Sequence, residues 1–306
     1  MKDALLTYVM KVDAYAPTPS ASTAYIRKVL CVVKPKSGNG GTISECTTKA
    51  EVQALTNASC YKLLEAGMSS ILVLPTNSLD IADILEATSY KFFTILIDNA
   101  FTTTTGLDVG NFKGVIGWTN DDRATAKAFG IVGNNVGFYD ITDNASENTY
   151  FAFGKLLSAN DWKNQQYIEM PKTSNITTTA QAELLFEDAL SFVLTSEEYG
   201  NRLALFASNR RAIIAPYIYE EMTLKLQSKA LQYISLNQPN YTQAEASLLE
   251  DSLQGVVDGY IQKGIIESGR VDVGLTDENF VVSAEIQIPE PKALWRIKAT
   301  MQQGEI

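Results

Sequence analysis

The sequence predicts two structural classes in one chain: an outer α/β domain with a mostly parallel sheet, and a C-terminal α+β assembly domain with extended terminal arms. Three observations carry this. Strand-like apolar runs alternate with short helical segments from about residue 25 to 141, the order of a parallel sheet covered on both faces. From Thr242 onward a helical stripe gives way to period-two runs. Each end of the chain carries alternating apolar residues set off by prolines, Pro17 and Pro19 at one end, Pro289 and Pro291 at the other.

Residues 1–24 read as an arm and linker. Leu6, Tyr8, Met10 and Val12 share one face when extended, and Thr7, Tyr8, Val9 and Val12 favour a pleated surface over the short helix that Ala4 to Met10 would also allow. Residues 25–170 form the predicted α/β domain. Strands are expected at 25–33, 69–75, 91–98, 113–119 and 135–141, with helices at 49–66 and 78–88 and from Asp121 to Phe129. Gly67 and Gly130 stand at helix stops, and a helical connection over 144–167 carries Trp162.

The polar stretch 171–180 marks the boundary to a second domain, 171–290. An amphipathic helix is expected over 181–199 through Leu184, Leu185, Ala189, Phe192 and Val193, then a strand at 202–207. A further helix runs from Pro216, a residue suited to a first turn, to about Leu236. Thr242 with Glu245 is the signature of a helix start. The stripe Leu248, Leu249, Leu253, Val256, Val257, Tyr260 and Ile261 continues that helix to a stop at Gly264.

Two alternating runs close the chain. In the first, Phe280, Val282, Ala284 and Ile286 face one way and Ser283, Glu285 and Gln287 the other. In the second, inside the arm 291–306, Ala293, Trp295, Ile297, Ala299 and Met301 alternate with Arg296, Lys298 and Thr300. A clean apolar face at an extreme terminus has two readings. It folds back as an edge strand of its own domain, or it leaves to complete the sheet of another copy.

Composition narrows the function. At 306 residues, 45% hydrophobic and 20% charged, the chain reads as an ordinary soluble globular protein with room for two cores. A net charge of −10 argues against a nucleic-acid partner, since neutralising phosphates needs clustered Lys and Arg. No run approaches eighteen apolar residues and the N-terminus lacks a leader pattern, so synthesis in the cytoplasm without membrane insertion is expected.

Histidine is absent, which removes the usual general base and the commonest metal ligand. Cys31, Cys46 and Cys60 are not spaced as metal ligands and read as buried reduced thiols. The run "KPKSGNGGT" at 34–42 lacks the G-K-[ST] of a phosphate loop and reads as a flexible surface loop. Asp98, Asp121 and Asp122 sit where α/β enzymes place carboxylates. With no histidine and no glycine fingerprint, Asp121 reads as a helix cap and Asp98 as a loop residue. No catalytic residue, metal ligand or cofactor is expected. Arg210, Arg211, Lys225 and Lys229 form the one cationic concentration, either a solvated face or a contact for an acidic partner.

The order "VVDGYIQKGII", "GRVDVGL", "FVVSAEIQIP", "ALWRIKATMQ" resembles the C-terminal domain of contractile phage tail sheath proteins, over roughly residues 180–301. The resemblance implies a non-enzymatic subunit that polymerises helically around a tail tube and contracts to drive the tube through a cell envelope. It implies strand exchange between copies through Leu6, Tyr8, Met10 and Val12 at one end and Ala293, Trp295, Ile297, Ala299 and Met301 at the other. Phe280, Val282, Ala284 and Ile286 would be the acceptor sheet, and the cationic residues the tube contact. The implied partners are further copies, the tube protein, the baseplate and a tail terminator; the implied location is a virion tail assembled in the host cytoplasm. Two other readings stand beside it: an α/β ligand-binding or enzymatic protein whose C-terminal domain oligomerises, and a tail or surface-lattice protein that does not contract.

Overall fold

The computed structural model describes residues 7–13, 23–140, 146–160, 162, 168–197, 200–208, 211–237, 239–240, 242–275 and 280–288, with 7–13, Ser208 and Arg211 described by backbone alone. Five strands are short runs rich in Val, Ile, Leu and aromatic residues, and they join as parallel neighbours: β2 (Val29–Val33), β4 (Ile71–Pro75), β5 (Thr94–Ile97), β6 (Val115–Asn120) and β7 (Asn135–Tyr139). Every residue of β2, β4, β5 and β6 is buried, as expected for strands covered on both faces. A sixth strand, β3 (Ser44–Cys46), pairs antiparallel with β4 and completes the order β3-β4-β2-β5-β6-β7. A strand there was not expected, because the sequence shows only a polar glycine-rich stretch. The loop before it is held and is not free. Gly41 N–H donates to the Pro75 carbonyl at 2.7 Å, and a Cβ on Gly40 (φ +65°) would lie 2.0 Å from that same oxygen. Only glycine fits there.

The helices on this sheet differ from expectation at their ends for local reasons. The helix predicted over 49–66 is two, α1 (Lys49–Leu55) and α2 (Lys62–Glu65). The break is Thr56, extended, whose hydroxyl donates to the Lys34 carbonyl at 2.7 Å and accepts from Ala58 N–H. Gly67 ends α2 in the left-handed conformation, as predicted. The short α3 (Ala82–Ala87) is followed by α4 (Arg123–Gly130). Asp122, not Asp121, caps α4, accepting from Thr125 N–H, and that bond together with the Thr125 hydroxyl lowers its pKa. The connection predicted over 144–167 contains α5 (Ser146–Ser158).

Beyond it, α6 (Thr179–Glu187) starts with a capping box between Thr178 and Gln181. It stops far short of residue 199. Ala189 takes φ +56°, Leu190 N–H bonds the Leu185 carbonyl and Ala189 N–H that of Phe186. This is the 6→1 and 5→2 pair of a helix terminus, completed here without glycine. Phe192 and Val193, read as helix face, belong to β8 (Phe192–Ser196), paired with β9 (Gly200–Leu205). A two-residue pair, β10 (Ala207–Ser208) and β11 (Arg211–Ala212), leads into α7 (Ile214–Asn237), whose third residue is Pro216.

The C-terminal elements follow the predicted order: α8 (Gln243–Gln262), capped by Thr242 and stopped by Gly264, then β12 (Ser268–Leu275) and β13 (Phe280–Gln287). The N-terminal arm is extended, as β1 (Thr7–Asp13). One apolar cluster runs from the α5 side of the parallel sheet (Val29, Cys31, Phe153) through Tyr217 and Met222 of α7 to Leu253, Val282 and Ile286.

Candidate assembly site

The C-terminal sheet has the order β1-β13-β12, antiparallel throughout. Its centre is β13, and strict alternation along it sorts the side chains. Phe280, Val282, Ala284 and Ile286 are buried, while Val281 on the opposite face is 42% exposed. The buried row packs with Leu249, Leu253, Val257 and Tyr260, the inward stripe of α8. Gly269 of β12 permits that approach, since a Cβ there would stand 2.6 Å from Val257 Cγ1. The four predicted acceptor residues are thus brought together on one inner face.

Residues 4–12 are expected on a neighbour's sheet; within the single chain Thr7 to Asp13 pair with its own β13, Thr7 opposite Gln287 and Asp13 opposite Val281. The backbone positions of Tyr8, Met10 and Val12 stand opposite Ile286, Ala284 and Val282, the buried row. With β12 on its other side, β13 has both ladders filled within one chain. A connection of only residues 14–22 keeps the arm at high effective concentration beside its own sheet. Leu6, Ala293, Trp295, Ile297, Ala299 and Met301 lie outside the described residues.

Of the four predicted cationic residues, the side chains of Lys225 and Lys229 are described. Lys225 is an internal partner: it pairs with Glu221, donates to Tyr260 Oη at 2.9 Å, and lies 4.8 Å from the Tyr260 ring centre. Glu221 also accepts from Trp162 Nε1 and, at 2.8 Å, from Tyr260 Oη. Burial alone would raise the Glu221 carboxyl. The bonds from Lys225, Trp162 and Tyr260, with the Lys225 charge, outweigh burial and hold it below the usual range. Around this cluster Arg27 lies 4.1 Å over the Trp162 ring and donates to the carbonyls of Leu157, Ala159 and Asn160 at the end of α5. Trp162 in turn stacks on Tyr217 at 5.0 Å. Sequence spacing puts Lys225 and Lys229 on one helical turn, and Glu221 one turn earlier, at the i,i+4 spacing of a helix ion pair, takes the first. Lys229 is exposed. Arg210 lies outside the described residues, as does the side chain of Arg211.

Asp98, read as a loop residue, is buried at the end of β5. Its carboxylate accepts from Tyr150 Oη and from Ala100 N–H, each at 3.0 Å, tying β5 to α5. Burial pushes its pKa up against those bonds. The three cysteines are reduced and buried, as expected; burial raises Cys31 and pushes Cys46 up to about 11. Among the described residues no three His, Cys, Asp or Glu side chains gather as metal ligands, and no helix is long and apolar enough to cross a membrane.

No family model and no curated protein matches the sequence. Solved structures do match the fold. A chain of the anti-feeding prophage (AFP) baseplate superposes with a TM-score of 0.63 at 12% identity, over 97% of this chain and 98% of that one. The AFP helical sheath in its contracted state gives 0.61 at 14% identity, over 96% and 95%. A sheath tail protein from Listeria innocua gives 0.53 at 10% identity, over 88% and 94%. The likeness spans nearly the whole chain, and the chain has the fold of contractile tail sheath proteins.

Proposed function

We propose that the chain is a structural subunit of a contractile tail sheath, which polymerises helically around a tail tube and contracts to drive that tube through a cell envelope. The observation that carries the reading is the nearly end-to-end likeness to the AFP sheath in its contracted state. An α/β protein with an unrelated oligomerisation domain would match over one part alone. In this reading residues 25–170 form the outer domain, 171–290 the assembly domain, and 1–24 and 291–306 the linking arms. The chain's work is mechanical, not catalytic. Its partners are further copies, the tube, a terminator and a baseplate; the likeness to a chain of the AFP baseplate supports the last. Its place is a virion or virion-like tail assembled in the host cytoplasm.

Strand exchange is the linkage we assign to it. In-chain pairing of β1 supports this, because the same register offers the same backbone bonds to residues 7–13 of a neighbour. The C-terminal run 293–301 supplies a further strand to another copy. Tube contact falls to Lys229, Arg210 and Arg211, with Lys225 withdrawn into the Glu221 cluster. Negative-stain electron microscopy of the purified chain tests the reading. Hollow cylinders with regular striations are expected; discrete small particles at every concentration and salt would refute it.

A further inference from the structure

The sheet β1-β13-β12 has two outer edges, and they are not alike. On β12, Val271 N–H donates to Gln254 Oε1 at 2.9 Å and Val273 N–H to Glu250 Oε2 at 2.9 Å. Gln254 Nε2 donates to the Gly269 carbonyl at 3.2 Å and is steadied by Asp258 Oδ1 at 2.8 Å. These backbone groups point away from β13, where an added strand would seek its ladder. One side-chain amide gives β12 an acceptor for an N–H and a donor for a C=O, as a residue of a paired strand would. The periods agree as well. Glu250, Gln254 and Asp258 follow at intervals of four, about 6 Å apart on a helix. Alternate strand residues step about 6.6–6.8 Å. Along β1, by contrast, β13 is the only pairing among the described residues.

We propose that Glu250 and Gln254 close the β12 edge, so that the extended strand of a second copy adds to this sheet only on its β1 side. The inference rests on the sheath reading for its second copy, and on the hydrogen bonds alone for the closure. An unguarded edge on each side would let every subunit be extended from both, and polymers would join laterally. A helix carrying Glu and Gln at the strand's spacing removes one of those edges and gives assembly a single direction.

The test uses the full chain, with residue-resolved amide hydrogen exchange before assembly and electron microscopy after it. In Glu250→Ala/Gln254→Ala, the Val271 and Val273 amides are expected to exchange about tenfold faster than in the wild type. Its polymers are expected to branch or fuse side to side. Glu250→Gln with Gln254 unchanged keeps an acceptor for each N–H and the donor to the Gly269 carbonyl, and is expected to retain both slow exchange and wild-type assembly. If the double alanine variant loses its helical circular dichroism, Gln254→Leu, which frees Val271 alone, carries the test. Unchanged exchange at Val271 in the double alanine variant or in Gln254→Leu, or polymers of the double alanine variant indistinguishable from the wild type, would overturn the proposal. A wild type that forms no polymer would sink the sheath reading, while the exchange measurement still decides whether the edge is closed.

Discussion

Reversing Lys225 and reversing Lys229 are expected to have different consequences, although the two lie one helical turn apart. Lys225→Glu removes a charged hydrogen bond to Tyr260 and the partner of Glu221, whose side chain is 15% exposed. A bond of that kind is worth about 1.5–3 kcal/mol. The new carboxylate also stands close to Glu221, and like charges about 4 Å apart at an effective dielectric of 20 repel by about 4 kcal/mol. The Lys225 side chain is 42% exposed, so water and salt screen much of that repulsion. The expected loss is about 2–4 kcal/mol, measured as a fall in the urea midpoint with unchanged slope. Lys229 is exposed and carries no such cluster, so Lys229→Glu is expected to stay within about 0.5 kcal/mol of the wild type. Equal stability of the two variants would refute the cluster. With folding intact, Lys229→Glu is then the clean probe of tube contact: extended sheaths around a tube are expected to become scarcer, and empty contracted cylinders commoner.

Acid unfolding follows from the same cluster. Glu221 has its folded pKa below its unfolded one, so its contribution is complete above the ordinary glutamate range and is lost as pH falls through the folded value; Glu221→Gln is expected to flatten the acid limb of a stability–pH curve. Asp98→Ala leaves the Tyr150 hydroxyl and Ala100 N–H unpaired and is expected to cost about 1–3 kcal/mol, whereas Asp98→Asn keeps an acceptor and sheds a buried charge, so its melting temperature is expected near or above that of the wild type. Ile286→Ala is expected to cost about 2–5 kcal/mol and Val281→Ser on the opposite face very little, as read by denaturant unfolding. Removal of residues 291–306 is expected to leave a folded chain that no longer polymerises; aggregation or unfolding of the truncated chain would assign that strand to its own domain's core.

Legibility in the sequence followed the kind of signal each element carries. The α8 helix and its following strands were readable because Thr242, Gly264 and the alternation from Phe280 to Ile286 are local features that the structure keeps. The parallel strands were readable as unbroken apolar runs. The strand over Phe192–Ser196 was not, because Leu184, Leu185, Ala189, Phe192 and Val193 fit a helical period and the terminator at Ala189 uses a residue with no preference for it. The three residues of β3 hold one buried position, Cys46, too few to show a period. At the site, the buried row on β13 was legible, and the chain that supplies the strand beside it was not. Which chain supplies the strand opposite Val282 is a matter of topology and concentration, and the same alternation serves either. Glu221 and Lys225 are a local pair on one helix, whereas Tyr260 and Trp162 come from distant segments, and only the fold brings them to Glu221.

The claim at the centre of this account is that copies of the chain join into a contractile sheath through shared strands. The most direct test is a helical reconstruction of the polymer formed by the purified chain, at a resolution that traces the connection from Asp13 to Thr23. A tube in which residues 7–13 of one copy lie antiparallel on the β13 of another, Thr7 opposite Gln287, is the predicted result. A polymer whose every β13 is paired by its own chain, with no strand crossing between copies, would contradict it.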